Sequence, residues 1–212
     1  INFFIFFLHS LIHFLSMNFE APLISGVFVK RYKRFFVDVK IKEGIVTAHC
    51  PNTGSMMGLL DKQNKVWLSQ SNDKKRKLKY TLQIVEVDGK KIGINTHLTN
   101  KIVLEALKNN LIKEFSQSKT IKSEQKYGKD TRFDFLIDQK GKKSFLEVKN
   151  VTLSRKKNLA EFPDAITSRG AKHIKDLINA RQNGFDSYLM FVVQRNDCNC
   201  FTIASDIDPE YS

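Results

Sequence analysis

Two periodicities divide the chain near residue 97. Before that point the apolar positions fall in short, often alternating runs: Leu23 to Val29, Phe35 to Ile41, Ile45 to Cys50, Val66 to Leu68, Tyr80 to Val87 and Lys91 to Asn95. Gly26, Gly44, Gly54, Gly58 and Gly89 punctuate them, so the pattern predicts strands with turns every few residues. A small closed barrel is the economical arrangement for so few short strands. After residue 97 the spacing becomes helical. Ile102, Val103, Ala106, Leu107, Leu111, Ile112 and Phe115 follow Thr99, which reads as the helix cap. Three strand-like runs come next, Ile121 to Tyr127, Arg132 to Ile137 and Ser144 to Val148. A second helix is predicted from Thr167 to Gln182, with Ala171, Ile174, Leu177 and Ile178 facing inward and Asn183-Gly184 ending it. Ser187 to Gln194 then reads as a buried strand. The expected architecture is a two-domain α+β chain: a β-barrel over 17–97, then an α/β domain over 98–212 with the order helix, three strands, helix, strand. Neither an internal repeat nor a low-complexity linker separates them.

The first sixteen residues, INFFIFFLHSLIHFLS, stand apart because they are apolar and carry no Lys or Arg. They are too short for a comfortable membrane span and lack the basic start and small-residue cleavage site of a signal peptide. They read as upstream sequence translated in frame, outside the working protein, with Met17 as the start. A short membrane anchor is the alternative, and the length argues against it.

Charge narrows the function. The 212 residues hold 35 Lys and Arg against 22 Asp and Glu, a formal net charge of +13, and 42% of residues are hydrophobic, enough for a core. The excess is spread over clusters at Lys30 to Arg34, Lys74 to Lys79, Lys140 to Lys143 and Arg155 to Lys157. A polyanion is the natural partner, against the blander alternative of a cationic surface that only keeps the protein soluble. On the barrel, Lys30, Arg31, Lys33, Arg34, Arg76, Lys77 and Lys79 are the candidate phosphate contacts, and Tyr32, Phe35, Phe36 and Trp67 the candidate stacking platforms, although Phe35 and Phe36 cannot both face outward. On the second helix Arg169, Lys172, His173 and Asp176 share a side, either solvated or in contact with phosphate. Three cysteines, Cys50, Cys198 and Cys200, form no C-x-x-C pair. Their odd number fits a reducing, cytoplasmic compartment.

The stretch DFLIDQKGKKSFLEVKN, residues 134 to 150, carries the sharpest chemistry. In a strand Glu147 and Lys149 share one face. A hairpin with Lys140-Gly141 at its tip, or a four-residue loop from Gln139 to Lys142, sets Asp134 directly opposite Glu147, whereas a three-residue loop ending in Gly141 would need a bulge to do so. Two opposed carboxylates repel unless a cation sits between them. All-oxygen ligation with room for waters suits Mg²⁺ or Mn²⁺, which would bind a phosphate oxygen and activate a water, with Lys149 orienting that water or stabilising charge on the phosphate. An ordinary salt bridge in a Lys-rich hairpin is the competing explanation. This D-x12-E-x-K spacing, on the second and third strands of the predicted unit, resembles the core of PD-(D/E)xK nucleases.

A wider resemblance runs from about residue 22 onward. VKRYKRFFVDV, VTAHCPNTGSM, KRKLKYTLQIV, INTHLTN, KYGKDTRFDFLI, FLEVKNVTL, FPDAITSRGAKHI and FVVQR occur in that order. Together they resemble the sugar fermentation stimulation protein A (SfsA) family. The resemblance implies an N-terminal OB-type domain followed by a PD-(D/E)xK nuclease-like domain. It also implies DNA binding and a link to regulation of sugar utilisation in bacteria, and the barrel with its basic strips, tracking phosphates, would read little sequence. The nuclease-like motif falls on Asp134, Glu147 and Lys149, and Glu124 in SEQKYG is a further candidate metal carboxylate. Family members continue past the IDPEYS region with another helix and strand, so the resemblance implies either a C-terminally truncated fragment or a nuclease-like sheet that lacks an edge element. The adjacent His49 and Cys50 lack a zinc-type ligand set, and their loop reads as built for conformation or nucleic-acid contact rather than as a thiol nucleophile. Two classes of function stay open: a DNA-binding protein, single- or double-stranded, carrying a divalent-metal site, or an active Mg²⁺- or Mn²⁺-dependent deoxyribonuclease in DNA processing or repair. No membrane partner is expected.

Overall fold

The computed structural model describes residues 1–10, 18–118 and 120–212. A first strand, β1 (Asn2–Phe7), joins a sheet built later in the chain. Next come β2 (Ile24–Tyr32), β3 (Phe36–Ile41), β4 (Gly44–His49), β5 (Lys65–Gln70), β6 (Tyr80–Val87) and β7 (Lys90–Gly93), ordered β4-β3-β2-β5-β6-β7. A parallel pairing of Ala48 and His49 on β4 with Tyr80 and Thr81 on β6 closes five of these strands into a barrel. Alternation explains the closure. Val37, Val39 and Ile41 are buried while Lys40 is exposed, and Phe28, Val66, Leu68, Leu82 and Val85 fill the same interior. Gly26 permits the tight approach of β2 to β3, since a Cβ there would lie 2.5 Å from Val39 Cγ1. The barrel strands expected from the pattern are present, and this is the OB-type domain.

The second domain has a mixed sheet in the order β1-β13-β10-β9-β8, formed by β1 with β8 (Thr120–Tyr127), β9 (Thr131–Gln139), β10 (Lys142–Val151) and β13 (Asp186–Val193). Helix α1 (Thr96–Lys108) packs on one face through Ile102, Val103, Ala106 and Leu107 against Phe135, Ile137, Leu146 and Val148. Helix α2 (Ser168–Gln182) covers the other, with Leu177 and Ala180 against Phe133, Phe145, Leu189 and Phe191. A third sheet, β11 (Leu153–Lys156), β12 (Asn158–Phe162) and β14 (Cys198–Ile203), was not expected from the sequence.

Several expectations are corrected. Asn95 caps α1, its side chain accepting from His97 N–H, while Thr99 is buried inside the helix and donates to Asn150. The helix stops at Lys108, so Phe115 reaches the core from a short 3₁₀ turn rather than from the helix itself. On α2, Thr167 is the cap, but Ile178 is 45% exposed and His173 lies inward. Residues 1–16 do not all stand outside the fold: β1 pairs in parallel with β13, with Phe4 and Phe6 toward the α1 side and Ile5 and Phe7 toward the α2 side. Such an apolar run satisfies an otherwise open sheet edge. The start expected at Met17 lies outside the described residues. Among the described residues no helix is long and apolar enough to cross a membrane.

Candidate metal and nucleic-acid site

The site begins at the turn between β9 and β10. Lys140 and Gly141 both have positive φ, 55° and 90°, as a two-residue type I′ turn requires. The ladder that follows pairs Gln139 with Lys142 and continues in step to Phe135 with Leu146. One more step sets Asp134 across from Glu147, the register expected from the sequence. The ladder opens there, and the Val148 N–H donates instead to Asp134 Oδ2 at 2.7 Å. Asn100 on α1 donates to the other oxygen, Oδ1, also at 2.7 Å. Asp134 is thereby fastened between a strand and a helix.

Glu147 is 4% exposed. Its Oε1 lies 2.7 Å from Lys149 Nζ and 2.5 Å from His173 Nδ1. Its Oε2 is buried and has no hydrogen-bond partner among the described residues. Burial, and then the neighbouring charge of Glu147, push the Asp134 carboxyl up to about 6, with Val148, Asn100 and Lys149 only partly offsetting them. For Glu147 burial also acts upward, but the His173 hydrogen bond and the Lys149 charge outweigh it and hold the group below the usual carboxylate range. The two carboxyls are therefore pushed apart, and Glu147 ionises first.

Asp134 and Lys149 line a cavity of about 620 Å³ between the domains. The barrel supplies Arg31, Arg34 and the loop from Asn52 to Ser55, and the second domain the segment from Glu161 to Thr167. These two loops clasp each other. Ser55 Oγ donates to the Asp164 carbonyl at 2.6 Å, and the Met56 N–H to Asp164 Oδ2 at 2.9 Å. Gly54 makes the approach possible, because a Cβ there would lie 2.7 Å from both Asp164 carboxylate oxygens. The loop after His49 and Cys50 is thus built for conformation, and burial pushes the Cys50 thiol up, away from reactivity.

The remaining predicted site residues divide. Glu124 is not brought to the other carboxylates: its side chain is exposed and lies 3.8 Å from Arg132. Arg31 is committed to the protein's own backbone, donating to the carbonyls of Asn52, Gly54, Ser55 and Arg34. Arg76 donates to Thr81 Oγ1. Lys30 is solvent-facing, 3.6 Å from Asp38, and Lys33, Arg34, Lys77, Lys79, Arg169 and Lys172 are exposed. His173 is not on that exposed side of α2 but 6% exposed against Glu147, and Asp176 accepts from Thr131. Phe35 is exposed while Phe36 turns to stack on Tyr32 at 5.5 Å. Lys65 and Lys91 lie over the Trp67 ring at 5.1 and 4.9 Å. Asn100, Asp164 and the inward His173 were missed. The last had a signal, since Gly170, His173, Leu177 and Ala180 form a stripe at helical spacing.

Known proteins resemble this chain over both domains. Residues 29–94 match the SfsA N-terminal OB domain, and residues 97–212 the sugar fermentation stimulation protein RE domain. A sugar fermentation stimulation protein homolog of Pelagibacter ubique is 56% identical over 195 residues, covering 92% of this chain and 84% of that protein. A homolog of Brucella anthropi is 46% identical over 198 residues, covering 92% and 85%. The solved structure of Pyrococcus furiosus SfsA, in complex with Ca²⁺, superposes with a TM-score of 0.84 at 29% identity, covering 92% of this chain and 82% of that one. With both halves matched in order and the barrel and mixed sheet in place, the chain belongs to the sugar fermentation stimulation protein (SfsA) family.

Proposed function

We propose that the protein binds DNA across the barrel and the interdomain cleft, and that Asp134, Glu147 and Lys149 form a divalent-metal-dependent phosphodiesterase centre in that cleft. One observation carries the proposal: the hairpin register that sets Asp134 against Glu147 beside the Lys149 ammonium, at the wall of a 620 Å³ cavity.

The residues fit a hard cation. Glu147 Oε2 is a buried oxygen left without a donor among the described residues. The repulsion that helps push Asp134 up to about 6 is what an ion between the carboxylates relieves. Among the described residues no group of three His, Cys, Asp or Glu is placed to cage a metal. One or two carboxylates completed by water and substrate phosphate is the pattern of Mg²⁺ or Mn²⁺. Ca²⁺ in the Pyrococcus furiosus relative is also an oxygen-seeking ion. When bound, the ion would polarise a phosphate oxygen and lower the pKa of a bound water. Lys149, which has donors only, would neutralise charge developing on the phosphate. Asn100 and the Val148 N–H hold Asp134 in place.

Lys33, Arg34, Lys77, Lys79 and Lys172 are exposed to meet phosphates, and Phe35 to stack on bases. Contacts of this kind read little sequence. Three free cysteines, two of them buried, suit the reducing cytoplasm where DNA resides. The test is incubation of labelled single- and double-stranded DNA with the protein in Mg²⁺, Mn²⁺ or EDTA. Binding in all three and cleavage only with a metal supports the proposal; binding without cleavage in any removes its enzymatic half.

A further inference from the structure

A buried imidazole is costly unless its nitrogens are bonded. His173 sits on the inward stripe of α2, 6% exposed, with the Phe133 ring edge-on at 6.3 Å. Its Nε2 lies 3.5 Å from Arg169 Nε. Arginine only donates and a carboxylate only accepts, so Nε2 takes the Arg169 contact and the Nδ1 proton faces Glu147. That proton is donated to Glu147 Oε1 at 2.5 Å, the oxygen that Lys149 Nζ also reaches at 2.7 Å. Two donors, one from the strand and one from the helix behind it, thus converge on Oε1. They hold the carboxylate by one oxygen, and Oε2, like the buried Tyr211 hydroxyl, has no hydrogen-bond partner among the described residues.

We propose that His173 is a positioning residue for Glu147: it anchors Oε1 so that Oε2 is presented to a divalent cation. This rests on the reading of Asp134 and Glu147 as a cation site. It replaces a phosphate-contact role for His173, which burial rules out, and it gives α2 a part in the site beyond covering the sheet. A carboxylate ligand held by an outer hydrogen bond is pre-oriented, and loss of such a partner typically lowers metal affinity about 10- to 100-fold.

Calorimetric titration with Mn²⁺, in the absence of DNA, tests this. His173→Phe keeps the ring and removes the donor. His173→Asn keeps an N–H near the position of Nδ1, whereas His173→Gln carries its amide to the position of Nε2, away from Glu147. Circular dichroism reports whether each variant folds, and the Asn and Gln variants decide the matter if Phe does not. The expected result is a 10- to 100-fold weaker Mn²⁺ affinity for Phe and Gln, with Asn recovering to within a few-fold of wild type. Wild-type affinity in the folded Phe or Gln variant, or equal affinities for Asn and Gln, overturns the positioning role. A wild-type protein that takes up no Mn²⁺ overturns the cation site itself, and the positioning role with it.

Discussion

Replacing Asp134 by Asn should make the metal-free protein more stable at neutral pH, although it removes a residue of the proposed centre. In the folded state the Asp134 carboxyl titrates near 6, against 3.8 for an ordinary Asp. The native protein thus holds this proton where the unfolded chain has released it. Stability therefore falls as pH rises from about 4 to about 6, and the penalty is fully present above that. A separation of 2.2 units at 1.36 kcal/mol each is about 3 kcal/mol. Asn keeps the shape and can still accept from Val148 N–H, and the Asn100 amide can turn to present its oxygen. Urea unfolding in EDTA should find Asp134→Asn more stable by about 1–3 kcal/mol at pH 7.5, with the difference shrinking toward zero near pH 4. Saturating Mn²⁺ should stabilise wild type, by about 2.7 kcal/mol at one hundred times Kd, and leave the variant unmoved. A variant less stable than wild type at pH 7.5, or a difference that does not change with pH, refutes the electrostatic account of the site.

Lys77→Ala combined with Lys79→Ala should weaken DNA binding and lower the log-log salt slope by roughly 0.7–0.9 per lost contact, measured by fluorescence anisotropy; an unchanged slope removes these lysines from the interface. Arg31→Lys should instead act on stability, costing about 1–3 kcal/mol by chemical denaturation, because an ammonium cannot span the four carbonyls that the guanidinium reaches. Gly54→Ala should lower stability by about 1–3 kcal/mol, since its methyl would press on an Asp164 carboxylate pinned by Met56; an unchanged thermal midpoint would show that the clasp yields freely.

The register of the β9–β10 hairpin was legible because a period of two and a two-residue turn fix every opposed pair. The barrel was legible for a related reason: one face of each strand is buried, so burial and alternation coincide, as in Phe36–Ile41. The third sheet was not. Leu153–Lys156 and Asn158–Phe162 are short strands paired through a register shift, and the exposed Arg155, Lys156 and Asn158 fall together near their junction, which hides any alternation. The charge of Arg31 alone suggests a phosphate contact, but the sequence does not say that a loop some twenty residues on brings three carbonyls to it, beside that of Arg34. His173 was misplaced because Arg169 and Lys172 suggested a polar side, while the Gly170, Leu177 and Ala180 beside it define the buried one. Glu124 follows the ladder into line with Asp134, between Ser123 opposite Phe135 and Gln125 opposite Phe133. Its backbone takes φ 55° there and its carboxylate turns to Arg132, which no periodicity foretells.

The centre stands or falls on Glu147, and the direct measurement is cleavage of labelled DNA by Glu147→Gln beside wild type in Mn²⁺, with affinity read on the same DNA in EDTA. Gln keeps the size and one carbonyl oxygen but not the charge that holds a divalent ion. The predicted result is metal-dependent cleavage by wild type, loss of cleavage in Glu147→Gln, and DNA affinity equal to or slightly above that of wild type. Cleavage that survives in Glu147→Gln, or a wild type that binds DNA and never cuts it, contradicts the account.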